Sequence, residues 1–204
     1  FRLLQEIYSQ NEESRPIAQI ADKLHPWAAF IFAGSTFPKG YSSETGADML
    51  LTNAAADINK PRGSLESLDD VTAIFKAQPE ETMLNFLKAS IKTNKEETED
   101  IKKLHQAYSD GRFEELIPLL EETEQRTLKL VDTKYAKAMS DWLKNDLLIR
   151  RNLAWLPEIR KQSAKQSTLF AVGIAHLPSE KGLIELLRQE GYQVTPEPKV
   201  LIWQ

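Results

Sequence analysis

The chain of 204 residues carries 30 acids against 26 bases, a net charge of −4, with 41% apolar residues and no cysteine. This balance excludes the basic footprint of a nucleic-acid binder, and no aromatic side chains interleave with a run of Lys or Arg. It also excludes disulfides and thiolate chemistry, and no apolar run approaches the ~20 residues needed to span a bilayer.

The length suits one domain, or one domain with an insertion. The chain opens at Phe1 without a signal-peptide pattern, as a mature or trimmed chain would. Phe1 to Gln10 is expected to be helical, with Leu3, Leu4 and Ile7 on one side. After a polar break at Asn11–Ser14, Ile17 to Leu24 forms a second short helix ended by His25-Pro26. Trp27 to Ala33 is apolar and fits a helix or a strand, since pattern does not arbitrate over so short a run. Gly34 to Ser43 reads as loop.

Glu44 to Ile58 is expected to be a helix whose apolar face is Leu50, Leu51, Ala54, Ala55 and Ile58, with Asp48 at its edge. Asn59 to Gly63 is a turn. Ser64 to Glu66 is then a brief extended piece, and Ser67-Leu-Asp-Asp70 has the form of a helix-capping box. Glu66 therefore stands where a strand gives way to a helix. That is a favourable place for a working carboxylate, although acids also gather near helix N-termini for dipole reasons alone.

From Val71 to about Lys165 the pattern is helical, broken at Pro79, Asp110-Gly111 and Pro118. Met83, Phe86, Leu87 and Ile91 make one stripe, and Lys92 to Lys103 is a charged, solvated face. In the helix from about Thr133, Leu143, Leu147, Arg151 and Ala154 share one face, and Leu148, Asn152, Trp155 and Ile159 make the next. Arg151 and Asn152 thus fall among apolar positions. A buried guanidinium needs a partner; otherwise Arg151 lies along Trp155 with its head in water. Pro157 is expected to kink this helix, because it removes the bond to Leu153.

Thr168 to Val172 is a short run of β-formers bounded by Gly173, as in a buried strand. A loop carrying His176 follows. Pro178 and Ser179 open a helix striped by Leu183, Leu186 and Leu187. Gly191 ends that helix, and Tyr192 to Thr195 resumes as a strand. Such a β-α-β unit implies parallel strands and a right-handed crossover. Ligands collect at the carboxyl ends of strands in these sheets, which is where Gly173-x-x-His176 would hold its imidazole. A lone histidine in a turn also serves as a hydrogen-bonded structural residue.

The fold expected is α/β (α+β and helix-rich): a small β-sheet core, a C-terminal β-α-β unit over residues 168–204, and a mostly helical insertion over residues 68–165. Residues 1–204 form one domain in this reading.

Four separated stretches resemble the TraB/GumN family. Phe170-Ala-Val-Gly-Ile-Ala-His-Leu-Pro-Ser-Glu-Lys-Gly-Leu-Ile-Glu-Leu-Leu-Arg-Gln-Glu-Gly-Tyr192 is similar to its C-terminal signature. Arg151-Asn152, with Trp155 nearby, resembles its Arg-Asn motif. Gly46-Ala-Asp48 and Gly63-Ser-Leu-Glu-Ser67 resemble its Gly-x-Asp and Leu-Glu segments. The order is the family's, and the matches cover most of the chain after about residue 25.

The resemblance implies an α/β core with a large helical part, shared with erythromycin-esterase-like and ChaN-like proteins. It also implies kinship with the Tiki metalloproteases, whose site uses two Gly-x-x-His motifs and carboxylates. Carried over, Gly173 and His176 match the second motif, with Gly46 and Asp48 as structural positions. Glu66 becomes a metal ligand or base, and Arg151 with Asn152 steadies an oxyanion or orients Glu66. No first Gly-x-x-His stands in this sequence, so the family's N-terminal segment is expected to precede Phe1 and the site to be incomplete in this chain. The resemblance further implies manganese, cobalt or zinc as cofactor, a peptide or protein substrate, and an exported, periplasmic or cell-envelope location. The function expected is a metal-dependent, peptidase-like hydrolase. The alternative is a non-catalytic protein that binds or sequesters a peptide or partner.

Overall fold

The computed structural model describes residues 2–9, 12, 14–34 and 40–196, the side chains of Leu3 and residues 94–98 excepted. The expected loop at Gly34–Ser43, the break at Asn11–Ser14 and the first helix at Phe1 and Gln10 therefore lie partly outside the described residues. So does the chain after Pro196.

Among the described residues there is no β-strand, and the expected α/β sheet core gives way to a helical fold. Thr168 to Val172 runs without regular structure, and Leu169 is 76% exposed rather than buried. Ser64 to Glu66 ends in a bend, and Tyr192 to Thr195 forms no strand among the described residues. A run of β-formers states only a local preference, whereas a strand exists through a partner that takes up its N–H and C=O groups.

The chain divides into two compact units, residues 1–143 and 144–204. In the first, α1 (Arg2–Ser9), α2 (Arg15–Ala18) and α3 (Pro26–Gly34) enclose a cluster of Leu4, Ile7, Tyr8, Ala29 and Leu87. The small side chains Ala18, Ala21, Ala29 and Ala33 let these short helices approach closely. Trp27 to Ala33, open between helix and strand on pattern, is helical. Tyr8 is fully buried and its hydroxyl donates to the Ala29 carbonyl at 2.7 Å. Burial pushes this phenol up to about 12, because the anion would lose its hydration.

After α4 (Ala47–Asp57) and α5 (Leu68–Lys76) comes α6 (Glu80–Ser109), a helix of 30 residues. Ser67 and Asp70 cap α5 reciprocally, as the capping pattern predicts. The Ser67 hydroxyl and amide hold the Asp70 carboxyl below its usual range. Phe30, Phe75, Phe86 and Trp142 build a second core, with the Phe75 and Trp142 rings 5.2 Å apart and edge-on. Along α6, Met83, Phe86 and Leu87 are buried, as their spacing implies. Asp100 is also buried; Thr123 and Arg126 of α7 (Leu116–Leu128) donate to it at 3.1 and 2.8 Å.

The expected apolar face of α4 is not covered by the described residues. Leu50 and Ile58 are 59% and 65% exposed, and no residue of the helix is buried. α8 (Thr133–Asp141) closes the first unit and runs into a π-helical stretch, Trp142–Ile149.

The second unit holds α9 (Arg150–Ser163) and α10 (Leu183–Gln189). α9 passes through Pro157 without ending; the irregular turn lies upstream, in the π stretch. Its buried face is Asn152, Trp155, Leu156 and Ile159. Leu183 and Leu186 are the buried residues of α10. Gly191, at φ +90°, terminates α10: its N–H donates to the Arg188 carbonyl and that of Tyr192 to Leu187. α10 begins at Leu183, not at Pro178 and Ser179, which lie in the turn before it. No described helix is long and apolar enough to cross a membrane.

Candidate functional site

The polar residues that the sequence sets among apolar positions of α9 meet His176 inside the second unit. Asn152 is 2% exposed and His176 6% exposed. His176 occupies a single 3-10 turn, Ile174–His176, with its N–H bonded to the Gly173 carbonyl at 2.9 Å. It is thus presented by a tight turn rather than by a strand end. Gly173 has φ −57°, open to any residue, and a Cβ there would make only an ordinary 3.7 Å contact with the His176 ring. Position 173 therefore does not require glycine by its backbone conformation.

Hydrogen-bond logic assigns the imidazole tautomer. The Asn152 amide nitrogen lies 2.9 Å from the Lys181 carbonyl oxygen and 3.3 Å from that of His176. Carbonyls only accept, so this end of the amide must be the NH₂. The other end, Oδ1, lies 2.7 Å from His176 Nδ1 and accepts from it. Nδ1 therefore carries the proton and Nε2 keeps its lone pair. The far side of the ring agrees: Nε2 faces Arg151 Nη1, a donor, at 3.4 Å.

Arg151 is held in turn. Its Nη1 donates to the Leu147 carbonyl at 3.0 Å, one turn back in the π stretch. Widened turns of this kind recur at functional sites because they re-aim backbone and side chains. Trp155, four residues on, lies under the guanidinium at 5.0 Å and 4.5 Å from the His176 ring. Cation–π contact of this sort contributes ~0.5–2 kcal/mol. The Trp155 indole N–H is buried with no acceptor among the described residues.

His176, Asn152 and Arg151 are thus brought together. Glu66 is half-buried in a bend one residue before the cap of α5, in the first unit. Asp48 is exposed in the first turn of α4, and Gly46 caps that helix. His105 stacks edge-on with Tyr41 at 5.1 Å, and His25 lines a cleft of about 190 Å³ beside Trp27 and Lys76. A wider groove of about 530 Å³ runs over Leu177, Pro178, Ile184 and the charged Glu180, Lys181 and Arg188.

No three His, Cys, Asp or Glu residues cluster in a metal-binding arrangement among the described residues. His176 Nε2 faces a guanidinium nitrogen. The described donors do not fit a divalent cation, which needs several ligands and is repelled by Arg151.

Sequence reasoning passed over three contributors: the Lys181 carbonyl, the Leu147 carbonyl and Gly182. Backbone acceptors leave no trace in residue identity. Gly182 did leave one, as a break directly before Leu183.

No curated protein and no solved structure matches the chain. The model of the TraB/PrgY/gumN family matches residues 1–196. On that match, which takes in both units and the His176 site, the chain belongs to the TraB/PrgY/gumN family.

Proposed function

We propose that this chain carries the histidine side of a peptidase-like hydrolytic site. The observation behind this is the fixed tautomer: Asn152 holds Nδ1–H and leaves the Nε2 lone pair facing Arg151 at 3.4 Å. An imidazole so oriented takes a proton from water or an attacking group at Nε2. A guanidinium beside it stabilises the negative oxygen that develops on a peptide carbonyl. Asn152 acts through the ring by fixing its orientation. Glu66, Asp48 and Gly46 enter through the family resemblance alone, Glu66 as a candidate carboxylate and the other two as structural positions. Manganese, cobalt or zinc enters as an outcome of the test, since no step here depends on one.

The test is cleavage of a mixed peptide library by the full chain, read by mass spectrometry with and without each metal. We expect His176→Ala to lower cleavage at least ~100-fold, the scale of a lost general base, measured at a temperature where the variant is still folded. Cleavage unchanged in His176→Ala contradicts the proposal.

A second reading, a non-catalytic binder, is favoured by the burial of Asn152 and His176, which makes their bonds structural. It predicts that His176→Ala costs ~2 kcal/mol or more of stability and leaves peptide binding intact.

A further inference from the structure

We propose that Gly182 and the turn it closes, Leu177–Gly182, form the positioning device that sets which nitrogen of His176 is protonated. A single Asn152 amide group donates to two carbonyls five residues apart, His176 at 3.3 Å and Lys181 at 2.9 Å. The turn must fold back on itself to bring both to one nitrogen. It does so by packing the Gly182 backbone against its own start. A Cβ on Gly182 would stand 1.9 Å from the Pro178 oxygen and 2.4 Å from the Leu177 oxygen. Both atoms are backbone, so no rotamer change relieves the overlap; the turn itself must open.

The surrounding bonds keep it shut. Gly182 N–H donates to Ser179 at 3.0 Å and Ile184 N–H to Leu177 at 3.2 Å. Ser179 takes φ +82°, which a residue with a Cβ adopts only at a cost. A positive-φ residue and a closely approached glycine thus lie within four positions of each other in this turn.

Closure therefore reaches the imidazole in three steps. Gly182 admits the Pro178 carbonyl, the closed turn presents the Lys181 carbonyl, and that carbonyl fixes which end of the Asn152 amide faces His176. With the Lys181 carbonyl withdrawn, the amide loses its better acceptor and is held only by the His176 carbonyl at 3.3 Å, so that part of the population turns over. Its NH₂ then faces Nδ1, and the proton moves to Nε2. In that population Nε2 changes from acceptor to donor and turns its proton toward Arg151 Nη1, so the guanidinium shifts away from it. This holds whether the site is catalytic or only binds.

The test compares the full chain with Gly182→Ala by ¹⁵N NMR of the imidazoles, an assignable problem with 3 histidines in the sequence. Wild type should show Nδ1 protonated at His176 and slow exchange of the Asn152 side-chain amide protons. Gly182→Ala should move the His176 proton to Nε2 in at least part of the population and release the Asn152 amide, while His25 and His105 stay unchanged. Ser179→Gly removes the positive-φ strain and should leave the wild-type tautomer in place. Gly182→Ala with an unaltered tautomer overturns the proposal. Rapid exchange of the Asn152 amide in the wild-type chain overturns it too, even where Gly182→Ala fails to fold.

Discussion

The two units bury different things. The first, residues 1–143, is organised around apolar and aromatic contact: Leu4, Ile7 and Tyr8 against the alanines of α3, and Trp142 among Phe30, Phe75 and Phe86. The second, residues 144–204, buries an amide and an imidazole as well as Trp155, Leu156, Ile159, Leu183 and Leu186. An apolar core tolerates change in proportion to the volume removed. A polar core tolerates almost none, because each lost partner strands another group. The first unit is thus expected to yield graded losses, and the second to be sensitive to single atoms.

The largest effect tests the aromatic side of this contrast. Trp142→Ala removes a side chain 2% exposed and in contact with three phenylalanines, and should cost ~4 kcal/mol in denaturant unfolding. Trp142→Phe should recover more than half of that loss.

On the polar side, Asn152→Leu keeps volume and removes every bond. The His176 and Lys181 carbonyls and the His176 Nδ1–H all lose their partner, at about 3 kcal/mol in total. Asn152→Asp keeps the shape but loses the NH₂, and should cost nearly as much. A fall of less than ~1 kcal/mol in both variants would show the network to be peripheral to stability.

Tyr8 supplies a pH signature specific to the first unit. Its phenol ionises near 10 when unfolded and near 12 when folded. Between these values the unfolded chain binds fewer protons, so stability falls as pH rises from about 10 to about 12. The expected drop is on the order of 2 kcal/mol, and Tyr8→Phe should remove that part of the alkaline slope.

The smallest effect belongs to the cap of α5. Ser67→Ala breaks a reciprocal pair on the surface and should lower stability by ~1 kcal/mol.

How much of this the sequence disclosed follows the same division. Helices were legible where apolar side chains recur at helical spacing over many turns, as along α6 and α9. The Ser67–Asp70 cap was legible because two side chains and a spacing define it. The sheet was misjudged because Thr168 to Val172 has the composition of a strand, while pairing depends on residues distant in sequence. The α4 face was legible as a pattern, but pattern alone does not say whether anything covers it.

At the site, Arg151 and Asn152 stood out as polar residues on apolar stripes, and His176 through its glycine-flanked turn. The weight given to Gly173 belonged to Gly182, since only coordinates show which glycine another backbone approaches. What orients the Asn152 amide toward the His176 ring is a pair of backbone carbonyl oxygens, and every residue type has one.

The central claim is that Asn152 Oδ1 holds a proton on Nδ1 of His176. It is tested most directly by long-range ¹H–¹⁵N correlation spectra of the wild-type chain at neutral pH. The account predicts a bonded proton at Nδ1 of His176, in slow exchange with solvent. A bare Nδ1, or rapid exchange between the two tautomers, would contradict it.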